Sequence, residues 1–251
     1  MKIVATVDTN YLSIAENWVR GIKKLGIDNY TIYCLEKEAK DYLEPKGINC
    51  TYDERFDISL FLEEEILNGK EFKKIARAKT FLFREFARLR EPVIFSDLDA
   101  IWLKDPISQV QSHFNKFDVV FSLVEKKKCY PPRVWEKLGY TMCTGFFGIN
   151  PTDKSLRFFE ELVPYSRHRG GDDQMWFNFY SILDRDYESK NLQDGSKEIF
   201  VKDLLDIKVL PSSVVIRGLP DEHTYVAHPV SGKTEEQTAE KLKDQGLWLN
   251  E

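Results

Sequence analysis

The chain has 251 residues and a formal net charge of −5, from 36 lysines and arginines against 41 aspartates and glutamates. Hydrophobic residues make up 42% of it, which is enough for a sizeable core and excludes a disordered or collagen-like chain. The charge balance gives no basic footprint for nucleic acid, so we expect no nucleic-acid partner. The length suits one or two domains, and α/β domains often reach it as one unit.

No stretch approaches the roughly 20 apolar residues of a membrane span, so we expect no transmembrane segment. The opening residues, MKIVATVDTNYLS, do not have the pattern of a signal peptide. The cysteines are scattered and form no CxxC pair, which favours reduced thiols in a cytoplasmic protein. They are Cys34, Cys50, Cys129 and Cys143.

The first hundred residues alternate predicted strands and helices. Short apolar, β-branched runs indicate buried strands, and apolar residues at three- and four-residue steps indicate amphipathic helices. The strands are predicted at residues 2–7, 30–36, 48–52 and 93–99, and the helices at 12–25, 37–45 and 71–90. This alternation is typical of a mostly parallel sheet covered by helices on both faces.

The second half of the chain is less regular. Strands are predicted at residues 117–124, 144–150, 206–211 and 223–230, and helices at 151–166, 170–184 and 233–246. Residues 125–140, between the first two of these strands, are predicted to form a loop. Because no stretch has the composition of a linker, we predict a single domain over residues 1–251.

The segment PVIFSDLDAIWLKDP, residues 92–106, ends an apolar run with two carboxylates, Asp97 and Asp99. Ligands of open α/β sheets bind at the carboxyl ends of strands, and residues two apart in an extended chain point the same way. Two like charges this close raise one pKa unless a cation lies between them. Hard oxygen ligands suit Mg²⁺ or Mn²⁺, which keep open positions for substrate phosphates. The pair is therefore a candidate metal and diphosphate site.

Two other interpretations of this segment stay open. An apolar strand followed by Asp-x-Asp also resembles the nucleophile loop of haloacid-dehalogenase-type phosphatases, with Asp97 as the nucleophile, although that loop normally lies near the start of a chain. Alternatively, the carboxylates cap turns, and Asp105 before Pro106 is predicted to prepare one.

Five segments occur in order along the chain: IVATVDTNY, SDLDAIWLKDP, CTGFFGINPT, GDDQMWFN and HTYVAHPVSGK. Together they resemble nucleotide-diphospho-sugar transferases with the GT-A fold, above all the retaining families that include plant cell-wall xylosyltransferases, glycogenin and bacterial lipooligosaccharide galactosyltransferases. The resemblance spans roughly residues 2–233.

The resemblance implies an α/β fold: one GT-A (Rossmann-like) domain with a mostly parallel central sheet flanked by helices, and a smaller mixed acceptor-side region. It also implies a nucleotide-binding half at about residues 1–105 and an acceptor and catalytic half at about 106–251.

The resemblance implies that Thr6, Asp8, Asn10 and Tyr11 hold the nucleoside. Asp8 can accept a hydrogen bond from a uracil N–H, and Tyr11 offers an aromatic face for base stacking. Asp8 or Asn10 would serve equally well as the N-cap of the following helix.

The Asp-x-Asp motif of the family binds the ribose and a divalent metal, here through Asp97 and Asp99, with Asp99 as the firmer metal ligand. His228 matches a histidine that completes the metal site, and Lys233 matches a lysine that contacts the diphosphate. The spacing of Gly232 and Lys233 departs from the glycogenin-type pattern. The implied cofactor is Mn²⁺ or Mg²⁺, and the implied donor is a nucleotide sugar, with a UDP-sugar expected first.

The resemblance implies that residues from two further segments face the donor. Arg77 and Lys79 match basic residues near the donor phosphates or sugar, and would otherwise belong to a solvated helix face. Thr144 and Gly145 match a small-residue turn against the donor sugar. Cys143 stands where relatives often have Asn, so the contacts to the hydroxyls of the donor sugar are implied to differ there.

Asp173 and Gln174 match the residues beside the anomeric carbon and are the implied catalytic pair, with Asp172 as a substrate-binding neighbour. They open a predicted helix, whose N-terminus attracts anionic or hydroxyl-rich ligands, and Asp172 and Asp173 are also common N-terminal helix residues. Because Gln174 is a poor nucleophile, the resemblance implies front-face transfer with retention. An inverting reaction would need Asp172 or Asp173 as a general base.

The expected activity is that of a hexosyl- or pentosyltransferase acting on a carbohydrate or glycoprotein acceptor. In the predicted loop, Tyr130 and Trp135 either stack on a sugar or pack the loop against the protein.

Overall fold

The computed structural model describes residues 1–61, 71–125, 130–167, 169–229, 232 and 234–249. The helices are α1 (Leu12–Lys24), α2 (Lys37–Leu43), α3 (Glu71–Arg88), α4 (Ile107–Gln111), α5 (Pro132–Leu138), α6 (Asp153–Arg167), α7 (Asp173–Asn178) and α8 (Glu235–Asp244). The strands are β1 (Lys2–Val7), β2 (Tyr30–Cys34), β3 (Cys50–Tyr52), β4 (Val93–Ser96), β5 (Ile101–Trp102), β6 (Val119–Val124), β7 (Thr141–Ile149), β8 (Tyr187–Asn191), β9 (Lys197–Val201), β10 (Leu205–Val209), β11 (Val215–Ile216) and β12 (Val226–Ala227).

Nine strands of the described part of the chain form one sheet, in the order β3-β2-β1-β4-β7-β6-β10-β9-β8. Within it β1 is parallel to β2 and β4, whereas β7 is antiparallel to both of its neighbours. Every strand except β7 and β9 runs in the same direction, which confirms the predicted mostly parallel sheet. A smaller mixed sheet has the order β11-β12-β5.

The large sheet carries a hydrophobic core on each face, because side chains alternate between the faces. On one face, Phe95, Phe121 and Phe147 pack with Phe83 of α3, with ring centroids 4.8–5.6 Å apart between contacting pairs. This core is closed by α3, α6 and α7. The next residue of β7, Phe146, faces the opposite core, which is closed by α1, α2 and α8.

Ser96, the last residue of β4, holds the start of the Asp97–Asp99 turn in place. Its Oγ accepts hydrogen bonds from the indole N–H groups of Trp18 on α1 (3.2 Å) and Trp102 on β5 (3.1 Å). The same hydroxyl lies 3.1 Å from the Asp97 carbonyl. One buried hydroxyl thus connects a helix, a second strand and the turn that carries the carboxylates.

Several elements differ from the sequence-based expectation. The strand predicted at residues 93–99 ends at Ser96, so Asp97 and Asp99 lie in a turn closed by the Ala100 N–H to the Asp97 carbonyl and not in extended chain. The short elements α4, β5 and β11 have no predicted counterpart.

The predicted loop 125–140 contains α5, with residues 126–129 outside the described part, and β7 begins three residues earlier than predicted, at Thr141. The predicted helix 170–184 is α7 followed by a π-helical turn at Phe179–Leu183. The β8–β9 hairpin has no predicted counterpart, because the exposed sequence YESKN of β8 lacks an apolar pattern.

Cys34, Cys50 and Cys143 are free thiols, and Cys129 lies outside the described residues. Among the helices that the structure describes, none combines the length and the apolar character needed to cross a bilayer.

We expect Ser96→Ala to lower the free energy of unfolding by about 2–4 kcal/mol, because two buried indole N–H groups lose their acceptor. Ser166→Ala is the matched control: Ser166 is also buried, but within the described residues its hydroxyl bonds only the Val163 carbonyl of its own helix. That variant should cost less than about 1 kcal/mol. Urea denaturation of both variants measures this difference. An equal decrease in the free energy of unfolding would show that the bonds from the two indoles to Ser96 add no stability.

Candidate active site

A cleft opens at the carboxyl ends of β1, β2 and β4, the edge where open α/β sheets bind ligands. It is lined by Thr6, Asp8, Tyr11, Leu35, Ile75, Lys79, Asp97, Leu98 and Asp99. Six of these are site residues predicted from the sequence, whereas Leu35, Ile75 and Leu98 are not. Leu35 follows the end of β2 and Ile75 lies one turn before Lys79 on α3, so both could be found only once strand order and helix face were known.

The predicted nucleoside end of the cleft is not a helix cap. Helix α1 begins at Leu12 with Tyr11 at its N-cap and no side-chain capping bond. Asn10 is exposed, and its amide donates to Asp8 Oδ2 at 3.1 Å. The backbone N–H of Ser13 donates instead to a Glu235 carboxylate oxygen of α8, at 2.6 Å. The capping alternative for Asp8 and Asn10 is therefore wrong for α1.

Tyr11 links this end of the cleft to α8 and, through Thr238, to the segment before it. Its Oη lies 3.0 Å from Thr238 Oγ1, which also accepts the Gly232 N–H at 3.0 Å and donates to the Thr234 carbonyl. Burial raises the pKa of Tyr11 to about 12, so the phenol stays neutral. Lys233, predicted to contact the diphosphate, lies outside the described residues.

Asp97, Asp99 and His228 come together at the other end of the cleft. Their ligand atoms all lie within 4.8 Å of one another, and His228 Nε2 is 3.3 Å from Asp99 Oδ1. His228 and Asp99 are only 3% and 4% exposed, so their charges are poorly solvated. Two carboxylates and an imidazole grouped this closely fit a single divalent ion.

The titration of these groups reflects their crowding. Burial lowers the pKa of His228, as does the positive Arg217, but Asp99 and Cys143 raise it by more, and the net pKa is about 9. Burial raises the pKa of Asp97 above its ordinary value; Lys79 opposes this and Asp99 adds to it. The site therefore favours positive charge between these carboxylates.

Gly145 of β7 packs directly against two members of this group. A Cβ on Gly145 would lie 2.0 Å from His228 Cε1 and 2.7 Å from Asp97 Oδ2, closer than atoms can approach. The Asp97 N–H also donates to the Gly145 carbonyl at 2.6 Å. The predicted substrate-side glycine thus provides the space in which His228 and Asp97 meet, while Thr144 beside it is buried.

Lys79 joins the two predicted clusters of carboxylates. Its Nζ donates to Asp97 Oδ1 at 2.8 Å and forms an ion pair with Asp173 Oδ2 at 3.1 Å, the latter without hydrogen-bond geometry. Burial lowers the pKa of Lys79, but Asp173 and Asp97 raise it by more, so the ammonium stays charged. Arg77, two residues earlier, donates instead to the Arg167 carbonyl at the end of α6 (3.1 Å).

The N-terminus of α7 brings Asp172 and Asp173 to the same site. Asp172 caps the helix by accepting the Met175 N–H at 2.7 Å, as the capping alternative predicts, while Asp173 is buried and faces Lys79. Burial and the charge of Asp173 raise the pKa of Asp172 to about 6. Asp173 thus shares the Lys79 ammonium with Asp97, although the chain separates the two carboxylates by more than 70 residues.

Gln174 fixes the exposed side of the site. Its amide donates to the Tyr130 carbonyl at 2.6 Å, and Tyr130 as a residue is 42% exposed and lies near Asp172 and Asp173. Asn178, one turn later, exchanges two hydrogen bonds with the backbone of Met142 on β7.

Comparison with known proteins agrees with this arrangement. Residues 25–242 match the model of a family described as nucleotide-diphospho-sugar transferase. The match covers most of the chain, and the chain therefore belongs to this family of glycosyltransferases.

Curated relatives of the chain include plant arabinosyltransferases. It is 24% identical over 193 residues to the arabinosyltransferase RRA1 of Arabidopsis thaliana, covering 70% of this chain and 46% of that protein. It is 19% identical over 261 residues to the β-arabinofuranosyltransferase RAY1 of the same plant, covering 98% and 47%. The chain thus spans about half the length of the curated relatives it matches.

Solved structures share the fold at low sequence identity. The galactosyltransferase LgtC in complex with donor and acceptor sugar analogues aligns with a TM-score of 0.58 at 13% identity, covering 100% of this chain and 97% of that one. Mouse xyloside xylosyltransferase 1 aligns with a TM-score of 0.56 at 11% identity, covering 90% and 96%. These alignments confirm the GT-A fold.

We expect Asp172→Asn to raise the free energy of unfolding at pH 7.5 by about 1–2 kcal/mol and by less at pH 5. The folded-state pKa of about 6 exceeds the usual carboxyl value, so the folded chain binds more protons and loses stability as the pH rises through this window. Asn removes that loss and keeps the cap. Urea denaturation at both pH values measures it.

Asp194→Asn is the control of opposite sign. Hydrogen bonds from the Ser196 side chain and backbone lower the pKa of Asp194, so its carboxylate stabilises the fold at pH 7.5. This variant should lower the free energy of unfolding. A loss for Asp172→Asn at pH 7.5 that matches the control would contradict the raised pKa.

Proposed function

We propose that this chain is a divalent-metal-dependent transferase that moves a sugar from a UDP-sugar to a hydroxyl of a glycan or glycoprotein, with retention of anomeric configuration. The observation that carries the proposal is the group of Asp97, Asp99 and His228 at one end of the cleft, in which Asp99 and His228 are buried. Family membership supports a nucleotide-sugar donor and leaves no support for the phosphatase alternative.

The negative charge of the site supports the binding of a divalent metal ion. Four carboxyl groups interact in the site, and they are Asp97, Asp99, Asp172 and Asp173. Lys79 neutralises part of this charge through its two ion pairs. A divalent ion held by Asp97, Asp99 and His228 would supply Lewis-acid stabilisation of the charge that develops on a departing diphosphate. The mixed carboxylate and imidazole donors favour Mn²⁺ over Mg²⁺, whose ligands are almost always oxygens.

Residues of the chain would bind the base and the sugar of the donor and hold the carboxylates in place. We propose that Asp8 and Tyr11 hold the base, since both line the cleft, and that Asn10 acts through its bond to Asp8. Lys79 keeps Asp97 and Asp173 at a fixed separation. Asp173 binds donor-sugar hydroxyls, because its carboxylate is buried beside the metal group.

Retention is supported by the side chains at the N-terminus of α7. Gln174 has a neutral amide engaged with the Tyr130 carbonyl, and Asp173 is ion-paired with Lys79, so neither suits a nucleophile or base. The alternative is an inverting reaction with Asp172 as the base, which its pKa of about 6 would allow. The anomeric configuration of the product, read by proton NMR, separates the two.

The names of the relatives suggest which sugar the donor carries. Two of them are called arabinosyltransferases or arabinofuranosyltransferases, so we propose a UDP-pentose, with UDP-arabinose first. Tyr130, which is exposed near Asp172 and Asp173, offers a ring on which an acceptor sugar would stack. We also propose that residues 1–251 act as one transferase domain, since strands from both halves share the large sheet.

Calorimetry with UDP and a panel of UDP-sugars, with Mn²⁺ and after chelation, tests the proposal. We expect Mn²⁺-dependent binding of UDP, donor hydrolysis highest with a UDP-pentose, and a loss of at least about tenfold in Mn²⁺-dependent affinity in Asp99→Ala. Asp41→Ala, which removes an exposed carboxylate paired with Lys37, is the control and should bind as the parent does.

Three results would overturn parts of the proposal. Absence of binding to every nucleotide sugar contradicts the donor, equal affinity with and without metal contradicts the cofactor, and an inverted product contradicts retention.

A further inference from the structure

A bulge in β7 brings Cys143 and Gly145 to the metal group. Phe121 and Ser122 are consecutive in β6, yet they pair with Phe147 and Cys143 of β7, so residues 144–146 are left out of the ladder with β6. Bulges of this kind re-aim side chains and are frequent beside active sites. Cys143 and Gly145 both contact His228 at this point.

The two ring nitrogens of His228 face different partners. Nε2 is 3.3 Å from Asp99 Oδ1, on the side of the candidate metal ligands. Nδ1 is 3.7 Å from Cys143 Sγ, which is a hydrogen-bonding distance for sulfur. Cys143 is buried, and among the described residues it is the hydrogen-bond partner found for Nδ1.

The position of the ring is restricted as well. Gly145 leaves no room for a Cβ between itself and the ring edge, since that atom would lie 2.8 Å from Nδ1 and 2.0 Å from Cε1. The backbone N–H of His228 donates to the Ile216 carbonyl at 2.9 Å, and this bond holds the backbone of His228 in place. With the backbone held and one ring edge against Gly145, the contact at Nδ1 decides which nitrogen keeps the proton of the neutral imidazole.

We propose that Cys143 is a positioning residue for the metal site: its sulfur accepts a hydrogen bond from Nδ1–H of His228 and so presents an unprotonated Nε2 to the ion. Histidine ligands of metals commonly donate their second N–H to a carboxylate, a carbonyl or water, which fixes both tautomer and orientation. Here a buried thiol takes that place. The inference rests on the proposed function for the ion itself.

The first test measures Mn²⁺ affinity in the presence of UDP, from the electron paramagnetic resonance signal of free Mn²⁺. Loss of such outer partners weakens metal binding by about 10–100-fold, so we expect at least about tenfold weaker binding in Cys143→Ala. Cys34→Ala is the matched control: it truncates an equally buried cysteine in β2 and should leave the affinity within about twofold of the parent.

The second test needs no variant. In parent protein labelled with ¹⁵N-histidine and loaded with Mg²⁺ and UDP, NMR should find the His228 proton on Nδ1. A proton on Nε2 with a bare Nδ1 would overturn the inference, as would equal Mn²⁺ affinity in Cys143→Ala and the parent. If the parent protein binds no Mn²⁺, both the metal dependence of the proposed function and this inference are overturned. If the parent binds Mn²⁺ and Cys143→Ala binds it equally well, only this inference is overturned.

Discussion

The need to neutralise carboxylates that the fold buries together is the constraint on which the site depends. The turn after β4 and the N-terminus of α7 place two carboxylates each into one poorly solvated space. Lys79, Asp97 and Asp173 form one connected ion-paired group, and His228, whose pKa is about 9, pairs with Asp99. The His228 imidazole thus faces Asp99 within the group of side chains that would hold the proposed ion. The ion pairs of Lys79 and His228 therefore offset part of this negative charge, and the proposed metal ion would offset the rest.

Three features of the surrounding fold position these carboxylates and His228. Ser96 binds two indoles and fixes where β4 ends, so the turn that follows has a defined direction. The β7 bulge and the missing side chain of Gly145 allow His228, which follows the small mixed sheet, to reach the end of the large one. The bulge gives up pairing between β7 and β6, and Gly145 contributes no side chain to the packing.

Much of this could be predicted from the sequence. The alternation of strands and helices predicts the mostly parallel sheet, because buried parallel strands have a recognisable apolar pattern. The motif around Asp97 and Asp99 predicts the site, since a strand end is where ligands bind. Asp105 also behaves as predicted: it accepts the Ile107 N–H at the start of α4, at 2.8 Å.

The contacts between distant elements could not be predicted. The Lys79–Asp173 ion pair depends on how α3 packs against α7, and the Cys143–His228 contact depends on the bulge, which has no local sequence signal. The exposed hairpin strand β8 was missed because its polar residues carry no period. In each case, the information lies in the packing of elements far apart in the chain.

The most direct measurement of the central claim is the anomalous signal at the manganese edge in crystals grown with Mn²⁺ and UDP. The account predicts one peak within about 2–2.5 Å of both an Asp99 carboxylate oxygen and His228 Nε2, next to the diphosphate. A crystal with UDP bound in the cleft and no manganese peak at these two residues would contradict it.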